Sequence, residues 1–395
     1  MRRDDAPPFV FLGWPLISYL CGKENKGMIQ ITSSLTGKFF SSSIPDLLLT
    51  ITETQAVVAI SVDNEQIYQE TLIPVDGQIT VSDLSGMLGI YAERRLIVDV
   101  RVEITEQKVT KAPDTSIEIM GVVTVIPGLT TITETDTEEG TFQVLFCRAD
   151  FGISANDFYG NYFLSILMGA KVTAIGRLEY LHYFGNETPQ CVATYADGST
   201  RTFTPQVSGG NNRYTQIDAS PDNFMTTGKQ LVSYEITAGS RSQIYDIDQE
   251  QPDCAPILVF DNSFGVQELF YCTGVHKVTP EYKRLSARLG GMLRNYDIEE
   301  TRTFQANTGV LTTPMANWAD ELFRSKKVYL VNIYNGQPTV GKEVVITDCK
   351  SDNSNADDFM PRFTFSYQYA QRIHNVVDLN REGRIFDNTF DNTFN

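Results

Sequence analysis

The chain of 395 residues is longer than one ordinary β-sandwich, and its length predicts two or three separate cores. With 42% hydrophobic and 21% charged residues, its composition is that of a globular protein and excludes a wholly disordered chain. The 49 acidic residues outnumber the 32 basic ones, which gives a formal charge of −17. Such a surface favours solubility and repels phosphate groups, so neither nucleic acid nor anionic lipid is expected as the main partner.

Residues 1–27 are predicted to be an N-terminal extension or leader. Their apolar run covers residues 9–21 and is shorter than the roughly 20 residues that a transmembrane helix needs, so no transmembrane segment is predicted. A signal peptide or a lipoprotein leader ending at Cys21 is an alternative, although Leu20 stands where a small residue is usual. A further alternative is that Met28 is the true start.

Residues 28–130 are predicted to form a first β-sandwich domain. Apolar residues alternate with charged ones over residues 98–104, which is typical of a strand with one buried face. The Asp76-Gly77 pair between two β-like runs predicts a tight hairpin turn, since both residue types tolerate positive φ. Two further β-branched runs read as strands, at residues 46–52 and 56–62.

The stretch 130–140 is polar and acidic without an apolar period, and it is interpreted as a linker. A second domain of β-sandwich or jelly-roll type is expected over residues 140–279. It contains a predicted hairpin at Asp197-Gly198 and a predicted loop at residues 209–212.

Residues 280–380 are predicted to form a third β domain, the only one with a convincing short helix. Thr313 is expected to cap this helix and Pro314 to occupy its first turn. Four apolar residues then share one helical face: Met315, Ala319, Leu322 and Phe323. An Asn335-Gly336 turn and a strand with alternating aromatic residues over 362–369 follow, and residues 381–395 form a C-terminal tail.

No catalytic signature is present, so no enzyme activity and no cofactor are predicted. The three histidines stand apart and are interpreted as structural: His182, His276 and His374. The six cysteines show no zinc-binding spacing, and buried free thiols are favoured over disulfides: Cys21, Cys147, Cys191, Cys254, Cys272 and Cys349.

Two acidic segments are interpreted as surface features. Residues 348–358 resemble a calcium loop in composition but lack the spacing and the glycine of an EF-hand, so a solvated loop and no metal site are predicted. The other group lies beside basic residues and predicts an ion network: Asp297, Glu299, Glu300, Arg294 and Arg302.

Two groups of residues are candidate assembly contacts. Six basic residues fall close together in an acidic chain: Lys277, Lys283, Arg284, Arg288, Arg294 and Arg302. They are either ordinary strand charges or a basic patch that meets an acidic patch of the next copy in a ring. The tail repeats FDNT, and its rings at Phe386, Phe390 and Phe394 predict either a frayed end or a peptide that docks on a neighbouring subunit.

One resemblance adds to this interpretation. Three stretches of the chain resemble tail or baseplate structural proteins of phages and prophages from Bacteroides-type bacteria. They are DNSFGVQELFYCTG from residue 261, RNYDIEETRTFQANTGVLTTPMANWADELFRSKKVYLV from residue 294 and PRFTFSYQYA from residue 361. The resemblance covers about the C-terminal third of the chain. It implies a virion part that assembles in the bacterial cytoplasm as a homo-oligomer, a ring or a trimer, and contacts other tail proteins.

The first hypothesis is therefore a non-enzymatic structural component of a phage or prophage tail or baseplate. The alternative is an adhesin or glycan-binding module, exported or anchored as a surface lipoprotein, for which an aromatic platform would be expected. A third hypothesis, a glycan-active β-sandwich enzyme, requires two convergent carboxylates in a groove, and the sequence identifies no such pair.

Overall fold

The computed structural model describes residues 29–31, 36–119, 122–150, 152–209, 214–334, 337–350 and 360–371. The chain is mainly β and its sheets form several β-sandwich layers, with a short helix packed on the last sheet, as the sequence predicts. The predicted leader, His374 and the phenylalanine-containing tail lie outside the described residues.

The N-terminal part of the chain forms two facing sheets and one helix. Its elements are β1 (Gln30–Ile31), β2 (Gly37–Phe40), β3 (Leu47–Thr50), β4 (Gln55–Val62), β5 (Glu65–Leu72), β6 (Gln78–Val81), α1 (Leu84–Arg95), β7 (Ile97–Lys111), β8 (Thr115–Ile119), β9 (Val122–Ile126) and β10 (Thr130–Leu145). One sheet has the order β1-β3-β6 and the other β2-β10-β7-β4-β5, while β8 and β9 pair separately. Both sheets and α1 contribute to one apolar core.

Strand β7 shows why the sequence pattern predicts this core. Val98, Val100, Val102 and Ile104 are all buried, and the residues between them point away from the core. The predicted turn at Asp76-Gly77 is confirmed: both residues have positive φ, and Val75 and Gln78 exchange backbone hydrogen bonds of 2.9 and 3.0 Å.

The structure differs from the prediction over residues 130–140. They are not a linker loop but most of β10, which pairs with β7 from Thr130 to Leu145. Apolar alternation reveals a strand only when one face is buried, and this part of β10 is largely exposed. Helix α1 was also not predicted, although Asp83 caps it and its buried residues Leu84, Leu88 and Ala92 are spaced four apart.

The middle part of the chain forms another pair of facing sheets. Its elements are α2 (Ala155–Asn161), β11 (Lys171–Thr173), β12 (Tyr180–Tyr183), β13 (Gln190–Tyr195), β14 (Thr200–Phe203), β15 (Val207–Gly209), β16 (Thr215–Asp218), β17 (Leu231–Ala238) and β18 (Arg241–Ile247). The sheet orders are β11-β18-β17-β13-β14 and β12-β16-β15, and their facing sides share one core. The predicted hairpin at Asp197-Gly198 joins β13 to β14, with Gly198 at φ 77°.

The C-terminal part forms one seven-stranded sheet. Its elements are β19 (Ile257–Asp261), β20 (Gln267–Tyr271), β21 (His276–Leu289), β22 (Met292–Asn307), α3 (Thr313–Arg324), β23 (Val328–Tyr334), β24 (Gln337–Lys350) and β25 (Thr364–Tyr369). The order is β20-β19-β23-β24-β25-β22-β21. Strand β21 crosses the predicted boundary at residues 279–280, and β19 and β20 join this sheet from the preceding stretch, because pairing partners distant in sequence leave no local signal.

Helix α3 packs on this sheet much as the sequence predicts. Met315, Ala319 and Leu322 are buried against the sheet, and Phe323 is partly buried there. The cap lies one residue earlier than predicted, because the Thr312 side chain accepts the Met315 N–H. The predicted Asn335-Gly336 turn lies outside the described residues, although Tyr334 and Gln337 on either side of it pair.

The three parts meet in one buried aromatic cluster. Phe40 from the first part, Phe158 from the second and Phe264 from the third belong to it, and the rings of Phe158 and Phe264 stack at 4.7 Å. Ser263 donates its hydroxyl to the buried carboxylate of Glu321 at 2.6 Å, which ties the same loop to α3. These contacts hold the sheets in one fixed arrangement.

We expect Leu322→Ala to destabilise the C-terminal part by about 2–5 kcal/mol, because Leu322 is fully buried and its truncation leaves a cavity in the core under α3. Urea unfolding followed by circular dichroism measures this as a lower midpoint. Lys326→Ala, at an exposed position beyond the same helix, is the matched control and should shift the midpoint little. Equal midpoints for both variants would contradict the packing described for α3.

Candidate assembly surfaces

Strands β21 and β22 extend far beyond the sheet to which they belong. They pair continuously from His276–Ala306 to Leu289–Met292, but β25 covers β22 only at Phe304–Asn307. Residues 279–303 are therefore a two-stranded ribbon about 35–40 Å long. We call this ribbon the second arm, because a similar ribbon earlier in the chain forms a first arm. Gly290 and Gly291 form its turn with φ values of 59° and 82°, which suit a two-residue hairpin.

Five of the six predicted basic contacts lie on the second arm, and Lys277 lies just before it on β21. Lys283, Arg284, Arg288 and Arg294 fall within residues 282–295, the basic tip, where no acidic residue occurs. Arg288 pairs with Leu293 and Arg294 with Ala287, so the two arginines occupy adjacent rungs of the ribbon. The basic tip therefore concentrates positive charge in an otherwise acidic protein.

Part of the predicted ion network is present on the same arm. Arg302 at the base binds Glu300, and the ammonium of Lys283 in the basic tip lies 4.0 Å from the Glu299 carboxylate. This pairing partly neutralises the base of the arm and leaves its net positive charge towards the turn. The acidic group Asp297, Glu299 and Glu300 is thus part of the arm.

Apolar side chains stand exposed around the basic tip. Leu293 is 70% and Tyr296 67% exposed, and Leu289 and Met292 at the turn are also open to solvent. Soluble monomers rarely leave a group of large apolar residues uncovered unless it serves as a contact surface. The basic tip therefore combines positive charge with uncovered apolar area.

Strands β7 and β10 form the first arm in the same way. β4 pairs with β7 only as far as Gln107, so residues 108–119 and 122–133 leave the sheet as a ribbon that continues into the β8–β9 hairpin. This arm also exposes apolar side chains on its surface: Ile117, Val123, Val125, Ile126, Leu129 and Ile132. Sequence reasoning assigned this stretch to a domain core and a linker and did not identify it as an arm.

The outer edge of β10 is acidic and open. β2 pairs with β10 only at Phe142–Leu145, so residues 130–141, the acidic edge, have no strand on that side among the described residues. They contain four acidic residues and no basic one: Glu134, Asp136, Glu138 and Glu139. Glu139 accepts a hydrogen bond from Arg101 at 2.8 Å, and Glu134 and Glu138 are exposed.

The two described histidines are structural. The Tyr214 hydroxyl donates to Nδ1 of His182 at 2.5 Å, and Nε2 donates to the Gln267 carbonyl at 3.1 Å, so the neutral ring is fully hydrogen-bonded. Burial lowers the pKa of His182 to about 4. The His276 ring lies nearly parallel to those of Phe304 and Tyr367, at centroid distances of 5.9 and 6.0 Å, and contacts the Tyr367 hydroxyl at 2.9 Å.

The cysteines offer little reactivity. The five described ones are free thiols, and Cys21 lies outside the described residues. Burial raises the pKa of Cys147 and of Cys191 to about 12, so these thiols stay protonated at neutral pH. Within the described ranges, no group of histidine, cysteine and carboxylate side chains could hold a metal ion. Of the predicted acidic loop 348–358, only residues 348–350 are described, at the end of β24.

Two hollows could receive a small ligand. A groove of about 530 Å³ between the middle and C-terminal parts is lined mostly by apolar residues and by one acid, Asp261. An open hollow of about 760 Å³ on the N-terminal sheet contains Asp63 and Asp99. Asp63 binds Arg95 at 2.7 Å and Asp99 binds Gln143 at 2.8 Å, so both carboxylates are held by neighbouring side chains.

Comparison with known proteins identifies no relative in sequence. No known protein family and no curated protein matches the chain. No helix in the described part of the chain is long and apolar enough to cross a membrane.

Three solved structures show low similarity to the chain. The chain is similar to extracellular domains 3–5 of Drosophila OTK, with 8% identity, a TM-score of 0.20 and coverage of 71% of this chain and 91% of that one. The Bacillus anthracis TIE protein shows 5% identity, a TM-score of 0.16 and coverage of 72% and 52%. The I9–I11 tandem from titin shows 7% identity, a TM-score of 0.15 and coverage of 87% and 91%. Similarity at this level carries no argument about function.

We expect His182 to make folding less favourable in acid. Its pKa is about 4 in the folded protein and about 6.5 in an unfolded chain, so the unfolded chain binds a proton first as the pH falls. Stability is thus fully present above about pH 6.5 and decreases towards pH 4. Thermal unfolding between pH 7 and pH 4.5 should show a smaller loss for His182→Gln than for the unchanged protein. Parallel pH profiles would contradict a buried neutral ring.

Proposed function

We propose that this chain is a non-enzymatic structural protein that self-assembles through its two arms, as a component of a phage or prophage tail or baseplate. The observation that carries the proposal is that both arms extend beyond their sheets with apolar side chains uncovered. A two-stranded ribbon by itself is at best marginally stable in water. A partner that covers the ribbons would supply the burial that one copy lacks.

The arms also supply what a closed assembly requires. Rings repeat one contact between two different surfaces of the same subunit, so each copy must carry two complementary patches. The first arm belongs to the N-terminal sheet and the second to the C-terminal sheet, and the aromatic cluster fixes these sheets relative to each other. Contacts made by two arms on one fixed frame favour a defined assembly over irregular aggregation.

The phage assignment rests on the resemblance in the C-terminal third of the chain. Those residues build β20, most of β22, α3, much of β23 and β25, which belong to the sheet and helix that carry the second arm. The resemblance therefore includes one strand of the second arm, β22. It implies further contacts with other tail proteins and a virion location after assembly in the bacterial cytoplasm.

The alternative, an exported adhesin or glycan-binding module, has less support. Such a module stacks sugar rings on exposed aromatic side chains, with tryptophan the strongest platform. Trp318 lies on α3 and is buried, with 1% exposure. The other tryptophan, Trp14, lies outside the described residues. The glycan-active enzyme is disfavoured by the carboxylates already engaged in the open hollow.

We expect shortening of either arm to disrupt self-assembly without unfolding the chain. Replacing residues 282–300 by Asn-Gly joins the paired Glu281 and Thr301 through a two-residue turn. Replacing residues 112–129 in the same way joins the paired Lys111 and Thr130. Light scattering on a sizing column should give a multiple of 44.3 kDa for the intact chain and a lower mass for both variants.

The intact chain as a monomer at all concentrations, together with binding to a glycan array, would overturn the proposal in favour of the alternative. A chain ending at residue 385 tests the predicted tail contacts Phe386, Phe390 and Phe394 in the same measurement. Phage particles released from a host that carries the gene should contain the protein, and their electron micrographs should show it on the tail; its absence from them would contradict the phage assignment.

A further inference from the structure

We propose that the basic tip of the second arm docks on the acidic edge of β10 in a second copy of this chain. This inference rests on the proposed self-assembly and specifies its contact. The basic tip has four basic residues and no acidic one over residues 282–295, whereas the acidic edge has four acidic residues and no basic one over residues 130–141. The two surfaces are complementary in charge, and each is uniform in sign over its whole length.

Charge complementarity selects a copy of the chain as the partner. The protein carries a net charge of −17, so two copies repel each other on average. The basic tip is positively charged and is therefore attracted to the negatively charged surface of another copy. Every copy carries the acidic edge, whose charge is opposite to that of the tip. Complementary patches of this kind raise the association rate and exclude wrong orientations more than they add affinity.

Backbone geometry makes the same two surfaces fit each other. The acidic edge presents strand backbone with no strand beside it among the described residues, and β21 is the last strand of its sheet. Open strand edges add to one another by backbone hydrogen bonding, and edge charges are a common means to prevent such pairing with wrong partners. When two edges carry opposite charges, they attract each other and still repel edges of like charge, so the charges favour one pairing partner.

Apolar contacts supply the affinity. Leu293 in the basic tip and Tyr296 next to it are more than half exposed in the single chain. The same holds for Ile132 in the acidic edge and Leu129 next to it. Burial of these side chains contributes about 25 cal/mol per Å² of apolar area removed from water. Their exposure also shows that the described parts of the chain do not cover them.

The contact joins two different surfaces of the chain, and the arrangement of the copies decides the kind of assembly. Where each copy offers its basic tip to one neighbour and its acidic edge to another, repetition gives a ring if the rotation closes and a filament if it does not. Where two copies exchange the contact reciprocally, tip to edge and edge to tip, the result is a symmetric dimer. The mass of the assembly in solution distinguishes these arrangements.

A charge-exchange experiment tests the contact on the full chain. Arg284→Glu, Arg288→Glu and Arg294→Glu together change the net charge of the basic tip from +4 to −2. Glu134→Lys, Glu138→Lys and Glu139→Lys together change that of the acidic edge from −4 to +2. All six positions are exposed, and each variant is expected to elute as a 44.3 kDa monomer where the intact chain assembles. Mixed in equal amounts, the two variants should assemble again, because each reversed surface then meets its complement on the other variant.

The matched control is Lys326→Glu with Lys327→Glu, which reverses two exposed charges away from both arms and should assemble like the intact chain. If both reversed variants assemble as the intact chain does, or if folded variants stay monomeric when mixed, the docking is overturned while self-assembly stands. A monomeric intact chain would overturn both proposals. If circular dichroism shows that a variant does not fold, the salt dependence of the intact chain tests the docking instead. The mass of its assembly should decrease when the salt concentration is raised from about 0.05 to about 0.5 M, and an unchanged mass contradicts the docking.

Discussion

The strand pairs β7–β10 and β21–β22 keep their backbone pairing well beyond the point at which their side chains stop packing on a core. Pairing satisfies the backbone inside each ribbon, but it leaves both faces and the outer edges open. The interpretation of the molecule depends on this constraint. The cores explain how the chain folds, and the unfinished burial on the arms explains why it should meet other copies.

The rest of the fold serves to hold the arms in place. The three sandwich and sheet units meet at the stacked rings of Phe158 and Phe264, and the bond from Ser263 to Glu321 extends that junction to α3. The polar side chains that could have formed a reactive site are bonded to other groups of the same chain. Both ring nitrogens of His182 are hydrogen-bonded, and Asp63 binds Arg95. Surfaces rather than a reactive centre are therefore the basis of the proposed function.

Much of the fold could be predicted from local pattern, because a strand with one buried face shows an alternation of apolar and polar residues in the sequence. The alternation at Val98 to Ile104, the turn at Asp76-Gly77 and the face of α3 are such cases. The first arm could not be predicted this way, since a ribbon exposed on both faces has no period and its threonines and glutamates look like a linker. Of the candidate contacts, the sequence identified the basic residues by their departure from the overall charge, whereas the acidic edge needed the pairing of β2 and β10 to become visible.

The central claim, that the second arm of one copy meets β10 of another, is tested most directly by zero-length coupling of amines to carboxylates in a mixture of unlabelled and isotope-labelled full-length protein. Mass spectrometry of the digested product then separates links between copies from links within one copy. The account predicts links between copies that join Lys283 of the second arm to Glu134 or Glu138 of β10, at positions that are exposed in the single chain. Links between copies that avoid both arms, or no links between copies in a sample that light scattering shows to be assembled, would contradict it.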